Sequence, residues 1–197
     1  MLRVVLTGSI ATGKSTVLAR FAERGFPTYS ADEAVHELYA GPAAALVETL
    51  FPGTVRDGMV DRKALSAAIA AEPDRIAELE EVIHPLVREK ALDFMDSAEA
   101  RGNGLAVVEI PLFFETGAKY SIDKVVAIHC DPEIQRRRVL TRPGMSGEKL
   151  DFILSRQLTQ DEKRTRADYA IDTSGTMDDT IARTDAVIEA LLDEARA

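Results

Sequence analysis

The sequence predicts an α/β fold built on a parallel sheet, and three observations carry that expectation. Short apolar runs of strand length recur along the chain, separated by patterns of helical period. The first run, Leu2 to Leu6, is almost continuously apolar, as a strand covered on both faces must be. It leads without a spacer into Gly8-Ser9-Ile10-Ala11-Thr12-Gly13-Lys14-Ser15, a complete G-x-x-x-x-G-K-[ST] pattern.

In that pattern a buried strand delivers the chain to a tight loop whose backbone N–H groups converge on one point and cradle phosphate. A helix opening near Gly13 adds its unpaired N–H groups and the positive end of its dipole. Gly8 and Gly13 keep Cβ atoms away from the anion, Lys14 reaches the β- and γ-phosphates, and the Ser15 hydroxyl is a ligand for Mg²⁺. Val17, Leu18, Phe21 and Ala22 give the helix an apolar face that ends at Gly25.

A chain of 197 residues with 46% hydrophobic content can bury one substantial core and carry a small appendage or two. Its single cysteine excludes an intrachain disulfide framework, and Cys130, closing the apolar run 125–128, reads as a small core residue. No stretch has the length of a membrane span or the layout of a signal peptide, so a soluble, cytoplasmic protein is expected. A net charge of −9 argues against a nucleic-acid coat. From Arg136 to Arg166, however, nine basic residues face four acidic ones. Such an island is either a local anion site or a solvated helical surface.

The remaining elements follow in order. Residues 26–30 read as a second strand, and a helix from about Asp32 carries Ala34, Val35, Leu38 and Tyr39 inward until Gly41-Pro42. Asp32 is either that helix's N-cap or a site residue at the sheet edge where α/β proteins take ligands. Residues 43–50 suggest one or two helical turns and 51–60 a loop. Asp61 caps a helix through Ala70, and Pro73 opens a longer helix that His84-Pro85 should break or kink. The stretch from about 33 to 100 is therefore expected to be a strand-free helical insertion. Residues 104–110 return to strand, with Glu109 placed to act on Mg²⁺ directly or through water. Glu115, just beyond, also suits the first turn of a helix. Residues 125–130 form the fourth strand, and Asp131-Pro132-Glu133 starts a helix with a cap, an N1 proline and an acidic first turn. Arg138 and Arg142 fall at i and i+4 on it, before Pro143-Gly144. A helix over about 146–163 completes a basic hairpin able to close over phosphates. Residues 169–171 form the last strand, 173–175 a turn and 177–195 a terminal helix.

Together these segments resemble the dephospho-CoA kinase family. The resemblance rests on GSIATGKST at 8–16, SADEAVHELYAGP at 30–42, VDRKAL at 60–65, EEVIHPLV at 80–87, EIPLFFE at 109–115, Q-x-x-R-x-x-x-R at 135–142 and ADYAIDTSG at 167–175. It implies a P-loop NTPase-like three-layer α/β/α fold with a five-stranded parallel sheet. The core would comprise 1–31, 103–134 and 167–197, a helical substrate-binding domain 32–102, and a lid 135–166. It also implies transfer of a phosphoryl group from ATP, with Mg²⁺, to the ribose 3′-hydroxyl of dephospho-CoA, in a monomer or weak homo-oligomer with no nucleic-acid or membrane partner.

Carried over by position, Asp32 orients or deprotonates the acceptor hydroxyl, while Lys14 and Arg142 stabilise the transferring group. Gly8, Ala11, Thr12, Gly13, Lys14, Ser15, Thr16, Arg138, Thr173 and Gly175 take the nucleotide, with Ser15 and Glu109 at the metal. Asp32, His36, Arg62, His84, Leu112 and Glu115 take the acceptor substrate, His84 having the holding of the kinked turn as its alternative role. Some positions depart from the family pattern. Ser30 replaces the first acid of a common Asp-Ala-Asp, and Ser9 and Ala11 stand where glycine is frequent, so both are expected at negative φ. His36 replaces a common arginine, and Pro143 and Thr173 replace the more usual Asp and Asn. The competing reading is another small-molecule or nucleoside monophosphate P-loop kinase. A guanine-type switch lacks its N-K-x-D element here, and a non-enzymatic module leaves Asp32 and the basic hairpin unexplained.

Overall fold

The computed structural model describes residues 1–117 and 120–196. Five strands form the main sheet: β1 (Leu2–Gly8), β2 (Thr28–Ser30), β5 (Leu105–Glu109), β6 (Lys124–His129) and β7 (Tyr169–Asp172), in the order β2-β5-β1-β6-β7. Strand β1 lies at the centre, parallel to β5 with Leu2 opposite Leu105 and to β6 with Val4 opposite Lys124. β6 is in turn parallel to β7. After β1 the chain moves towards one edge, and after β5 it crosses to the other side. The crevice beyond the carboxyl ends of β1 and β6 is thus a topological switch point, where such sheets take ligands.

Both faces of the sheet are covered, which explains why its strands are apolar without alternation. On one face Val4, Leu6, Leu105, Val107, Val126 and Ile128 pack with Val17 and Phe21 of α1 (Lys14–Glu23) and Ile188 and Leu191 of α9 (Met177–Arg196). The opposite-facing Val5, Ala106, Val108 and Ala127 are equally buried. Helix α8 (Gln160–Arg166) packs on β1 and β6. Arg20 of α1 and Arg24, the residue after its end, both reach the Asp185 carboxylate of α9, at 2.7 and 3.0 Å, joining the two helices at their solvent edge.

The chain divides into two compact units, 1–29 with 95–197, and 30–94. The second contains α2 (Ala31–Tyr39), α3 (Ala44–Leu50), α4 (Arg62–Ala71) and the first part of α5 (Ile76–Ala100). Its core gathers Leu38, Val47, Phe51, Leu65, Ile83 and Val87. Lys90 meets Glu37 at 2.7 Å, joining α5 to α2.

Several sequence expectations need correction. Residues 51–60 are not all loop, nor is the insertion strand-free. Val55–Arg56 (β3) and Met59–Val60 (β4) pair antiparallel about Asp57-Gly58, both at positive φ, as a two-residue hairpin turn requires. Helix α5 is not broken at His84-Pro85; it continues through Pro85 with the loss of one backbone hydrogen bond, its ring on the exposed side. The helix expected over 146–163 is two, α7 (Gly147–Ser155) and α8, because Thr159 and Glu162 form a reciprocal capping box that starts a new helix. Helix α6 (Pro132–Leu140) ends before Arg142, so the expected Arg138–Arg142 pair does not share a helical face. Residues 111–115 are turns, so Glu115 is not a first-turn helix acid.

Two outcomes follow from this packing. Pro85→Ala restores a backbone bond at an exposed helical position and should raise unfolding free energy by about 1–2 kcal/mol in urea titration, the helical gain exceeding the lost unfolded-state restriction. The hydrogen bond from Arg20, with Arg24 beside it, holds the Asp185 carboxyl below its ordinary 3.8. A folded-state value below the unfolded one means stability that is present above that pH and lost as the pH falls through the folded value. Acid titration of Asp185→Asn should therefore show a shallower loss of stability below pH 3.8 than the parent chain.

Candidate active site

The loop between β1 and α1 is held by its carbonyls. Ser9 O accepts from the Lys14 ammonium at 2.9 Å and the Thr12 hydroxyl at 3.0 Å. Ile10 O accepts from Gln135 Nε2 at 2.8 Å, and Thr12 O from the Thr173 hydroxyl at 2.6 Å. Gly13 O accepts from the N–H groups of Thr16 and Val17 at the start of α1. The protein itself thus engages the carbonyls of Ser9, Ile10, Thr12 and Gly13, as a loop that offers its N–H groups to an anion requires.

Side-chain size and backbone angle set the glycines. A Cβ on Gly8 would lie 2.4 Å from the Ile128 carbonyl oxygen of the neighbouring strand, and Gly13 sits at φ +93°. Ala11 departs from expectation. It adopts φ +58°, in the left-handed region where a Cβ costs about 1–2 kcal/mol, whereas Ser9 stays out of it. Burial of its methyl group beside Val139 and Leu150 offsets part of that cost.

Lys14 is buried, with its ammonium 3.9 Å from Glu109 Oε1 at the end of β5. Ser15 is exposed on the first turn of α1, and Thr16 is half-buried beside it. An open groove of about 450 Å³ between α1 and the start of α9, lined by Ser15, Thr16, Ala19, Arg20, Glu23, Met177 and Ile181, runs alongside.

Around this loop the structure gathers Arg138 and Thr173 but not Arg142. The Arg138 guanidinium donates to the Thr173 hydroxyl at 3.2 Å and to its carbonyl at 2.7 Å, while Arg142 lies exposed beyond the end of α6. A Cβ on Gly175 would fall 2.6 Å from Asp179 Oδ2, the carboxylate that caps α9 by accepting from Thr176. The visible constraint on Gly175 is therefore that helix start. Leu112 is half-buried in the turns after β5. In the same segment Glu115 Oε1 accepts from Lys163 at 2.7 Å and from the Leu158 N–H at 2.9 Å, both partners lying in the chain's own helical region.

In the second unit the N-cap of α2 is Ser30, whose hydroxyl accepts from the Asp32 N–H at 3.2 Å. Asp32 is one turn position further on and exposed, so the capping role belongs to Ser30. His36 is exposed in the last turn of α2, and His84 half-buried in α5. Arg62, exposed at the start of α4, lies close enough to Tyr39 to oppose the rise that burial imposes on its phenol.

Sequence reasoning gave no role to Gln135 or Lys163. Gln135 is buried, grips Ile10 O, and accepts from Gln160 Nε2 at 3.0 Å. A polar residue on the inward face of a helix behind the loop was the available signal. Lys163 is 1% exposed, and burial pushes its ammonium below the usual 10.5 while Glu115 pulls the other way. Among the described residues no cluster of three or more His, Cys, Asp or Glu side chains is arranged to hold a metal, and no helix is long and apolar enough to cross a membrane.

The tie from Thr173 to Thr12 is open to test. Thr173→Val keeps the shape but orphans a buried carbonyl, so chemical denaturation should show a loss of about 1–3 kcal/mol, which Thr173→Ser should largely avoid. A loss in Thr173→Ser with Thr173→Val near the parent value would instead place the effect in methyl packing.

Comparison with known proteins agrees with this geometry. A dephospho-CoA kinase of Brucella melitensis biotype 1 is 53% identical over 179 residues, spanning 91% of this chain and 90% of its own. The solved structure of TT1252 from Thermus thermophilus superposes with a TM-score of 0.78 at 31% identity, covering 98% of this chain and 97% of that one. A dephospho-CoA kinase from Campylobacter jejuni superposes with a TM-score of 0.73 at 29% identity, covering 96% of each chain. The family model described as dephospho-CoA kinase matches residues 2–179, and with the tethered phosphate loop at the switch point of a five-stranded sheet, the chain belongs to the dephospho-CoA kinase family.

Proposed function

We propose that this chain transfers the γ-phosphoryl group of ATP to the 3′-hydroxyl of the ribose of dephospho-CoA, giving CoA and ADP. The observation that carries the reading is the phosphate loop with its carbonyls tied to the rest of the protein and the Lys14 ammonium on the Ser9 carbonyl, in a member of this family. Phosphoryl transfer passes through a loose transition state with charge on the equatorial oxygens, so the protein's work is alignment and electrostatic stabilisation. Lys14 rests on the Ser9 carbonyl and exchanges that contact for β- and γ-phosphate oxygens when the triphosphate enters. Arg138 steadies the Thr173 turn against the loop, and Arg142, exposed beyond α6, is left to approach the transferring group.

Asp32 supplies the acceptor side. Its carboxylate is exposed in the first turn of α2, and with the cap formed by Ser30 it is available to accept a hydrogen bond from the ribose hydroxyl. We assign the 30–94 unit to dephospho-CoA, with His36, Arg62 and His84 as candidate contacts, and the 135–166 segment to closure over the nucleotide.

The residues present also fit Mg²⁺, which takes hard oxygen ligands and is held largely by substrate phosphates. Ser15 offers an exposed hydroxyl beside the loop, and Glu109 a buried carboxylate at the end of β5. Mg²⁺ would neutralise charge between the β- and γ-phosphates. The single buried cysteine suits the reducing cytoplasm, where we place the activity.

A panel of hydroxyl acceptors, including shikimate and nucleoside monophosphates, assayed for ADP release with ATP and Mg²⁺ tests the reading. Dephospho-CoA should exceed every other acceptor by orders of magnitude, and preference for another would replace the assignment. Asp32→Asn should lower kcat by about 10²–10³ while the KM for ATP changes little. An unchanged kcat would remove Asp32 from the reaction.

A further inference from the structure

A ring of polar contacts joins the phosphate loop to the connector between α7 and α8. The Ser9 hydroxyl donates to Gln157 Oε1 at 2.6 Å, and Gln157 is the residue before Leu158. The Leu158 N–H donates to Glu115 Oε1 at 2.9 Å, and the same oxygen meets the Lys163 ammonium at 2.7 Å. Lys163 also donates to the Pro111 carbonyl at 2.8 Å, and that carbonyl accepts the Thr7 hydroxyl at 3.2 Å. Thr7 and Ser9 flank Gly8, so the circuit leaves the phosphate loop on one side of a glycine and returns on the other.

Its central node is costly by itself. Lys163 is almost wholly buried, and Glu115 Oε2 is buried with no hydrogen-bond partner among the described residues. Replacing a buried ion pair by apolar side chains is often neutral or stabilising, so stability alone gives little reason for a pair with an unsatisfied oxygen. The pair does fix the connector bearing Gln157. Gln157 in turn holds Ser9, whose carbonyl is the resting place of Lys14.

We infer that Glu115 and Lys163 are positioning residues for phosphoryl transfer, acting through Gln157 and Ser9 to set where the Lys14 ammonium meets the phosphates. Glu115 then serves the phosphate loop and not the acceptor substrate. Displacement of a catalytic group by a fraction of an ångström is felt in the chemical step far more than in acceptor binding.

The inference rests on the proposed activity, and wild-type turnover of dephospho-CoA is the control that separates the two: no turnover refutes the activity itself. Given turnover, the double variant Glu115→Leu with Lys163→Met removes both charges together. The expected result is a fall in kcat of about tenfold or more, with the KM for dephospho-CoA within about twofold and the thermal midpoint little changed. Gln157→Ala, which leaves the buried pair intact, should lower kcat by about three- to tenfold in the same manner and keeps the test available if the double variant does not fold. Wild-type kcat in Gln157→Ala, or in a folded double variant, would overturn the inference. So would a raised KM for dephospho-CoA at retained kcat, which would make Glu115 a substrate contact.

Discussion

The structure depends on how a loop of backbone can be held so that its donors converge. Amide N–H groups facing one another repel and would each prefer a carbonyl. They are kept converging because the carbonyls of the same peptides are bound elsewhere: Ser9 by Lys14 and Thr12, Ile10 by Gln135, Thr12 by Thr173. Those partners come from α1, α6 and the segment after β7, so the loop's shape is a property of the whole first unit. A preorganised donor array stabilises charge without reorganising at the moment of reaction, which is why its rigidity bears on rate.

Much of the fold was legible because the strands obey one simple condition. Burial on both faces makes the strand interiors 4–6, 105–108 and 126–128 apolar without alternation, and caps such as Asp61 and Asp131 mark helix starts by accepting from backbone N–H groups two and three residues on. What was misread involved local signals weighed against the wrong competitor. Asp57-Gly58 is a hairpin turn but was subsumed in a loop rich in proline and glycine. Thr159-x-x-Glu162 is a capping box hidden within an apparently continuous helical stretch. Pro85 does not break its 25-residue helix, since buried Ile83 and Val87 on either side hold the helix through it.

The site divides along the same line. Gly8, Gly13, Lys14 and Ser15 are readable because the chemistry of phosphate demands those types at those spacings. The second layer is harder to read: Gln135 offers only a polar residue on an inward helix face, and Gln157 and Lys163 are brought to the loop by contacts across the fold that no local pattern announces. Ala11 shows the limit from the other direction. Its left-handed backbone is tolerated where the surrounding contacts fix the loop, and no sequence rule would have chosen alanine for it. Ser30 resolved an ambiguity: by taking the capping duty it separates Asp32 from the architecture of its helix.

The strand order has a consequence for the chain as it is synthesised. β1 lies between β5 and β6, so it has no strand neighbour on either side until Leu105 to Glu109 emerge from the ribosome. The hydroxyl that fastens Thr12 belongs to a residue 161 positions later. At about 5–20 residues per second, a nascent phosphate loop waits roughly ten to thirty seconds for its last restraint. Until those neighbours are made the apolar run Val4-Val5-Leu6 is in need of shelter, which leaves this strand open to aggregation for much of that interval.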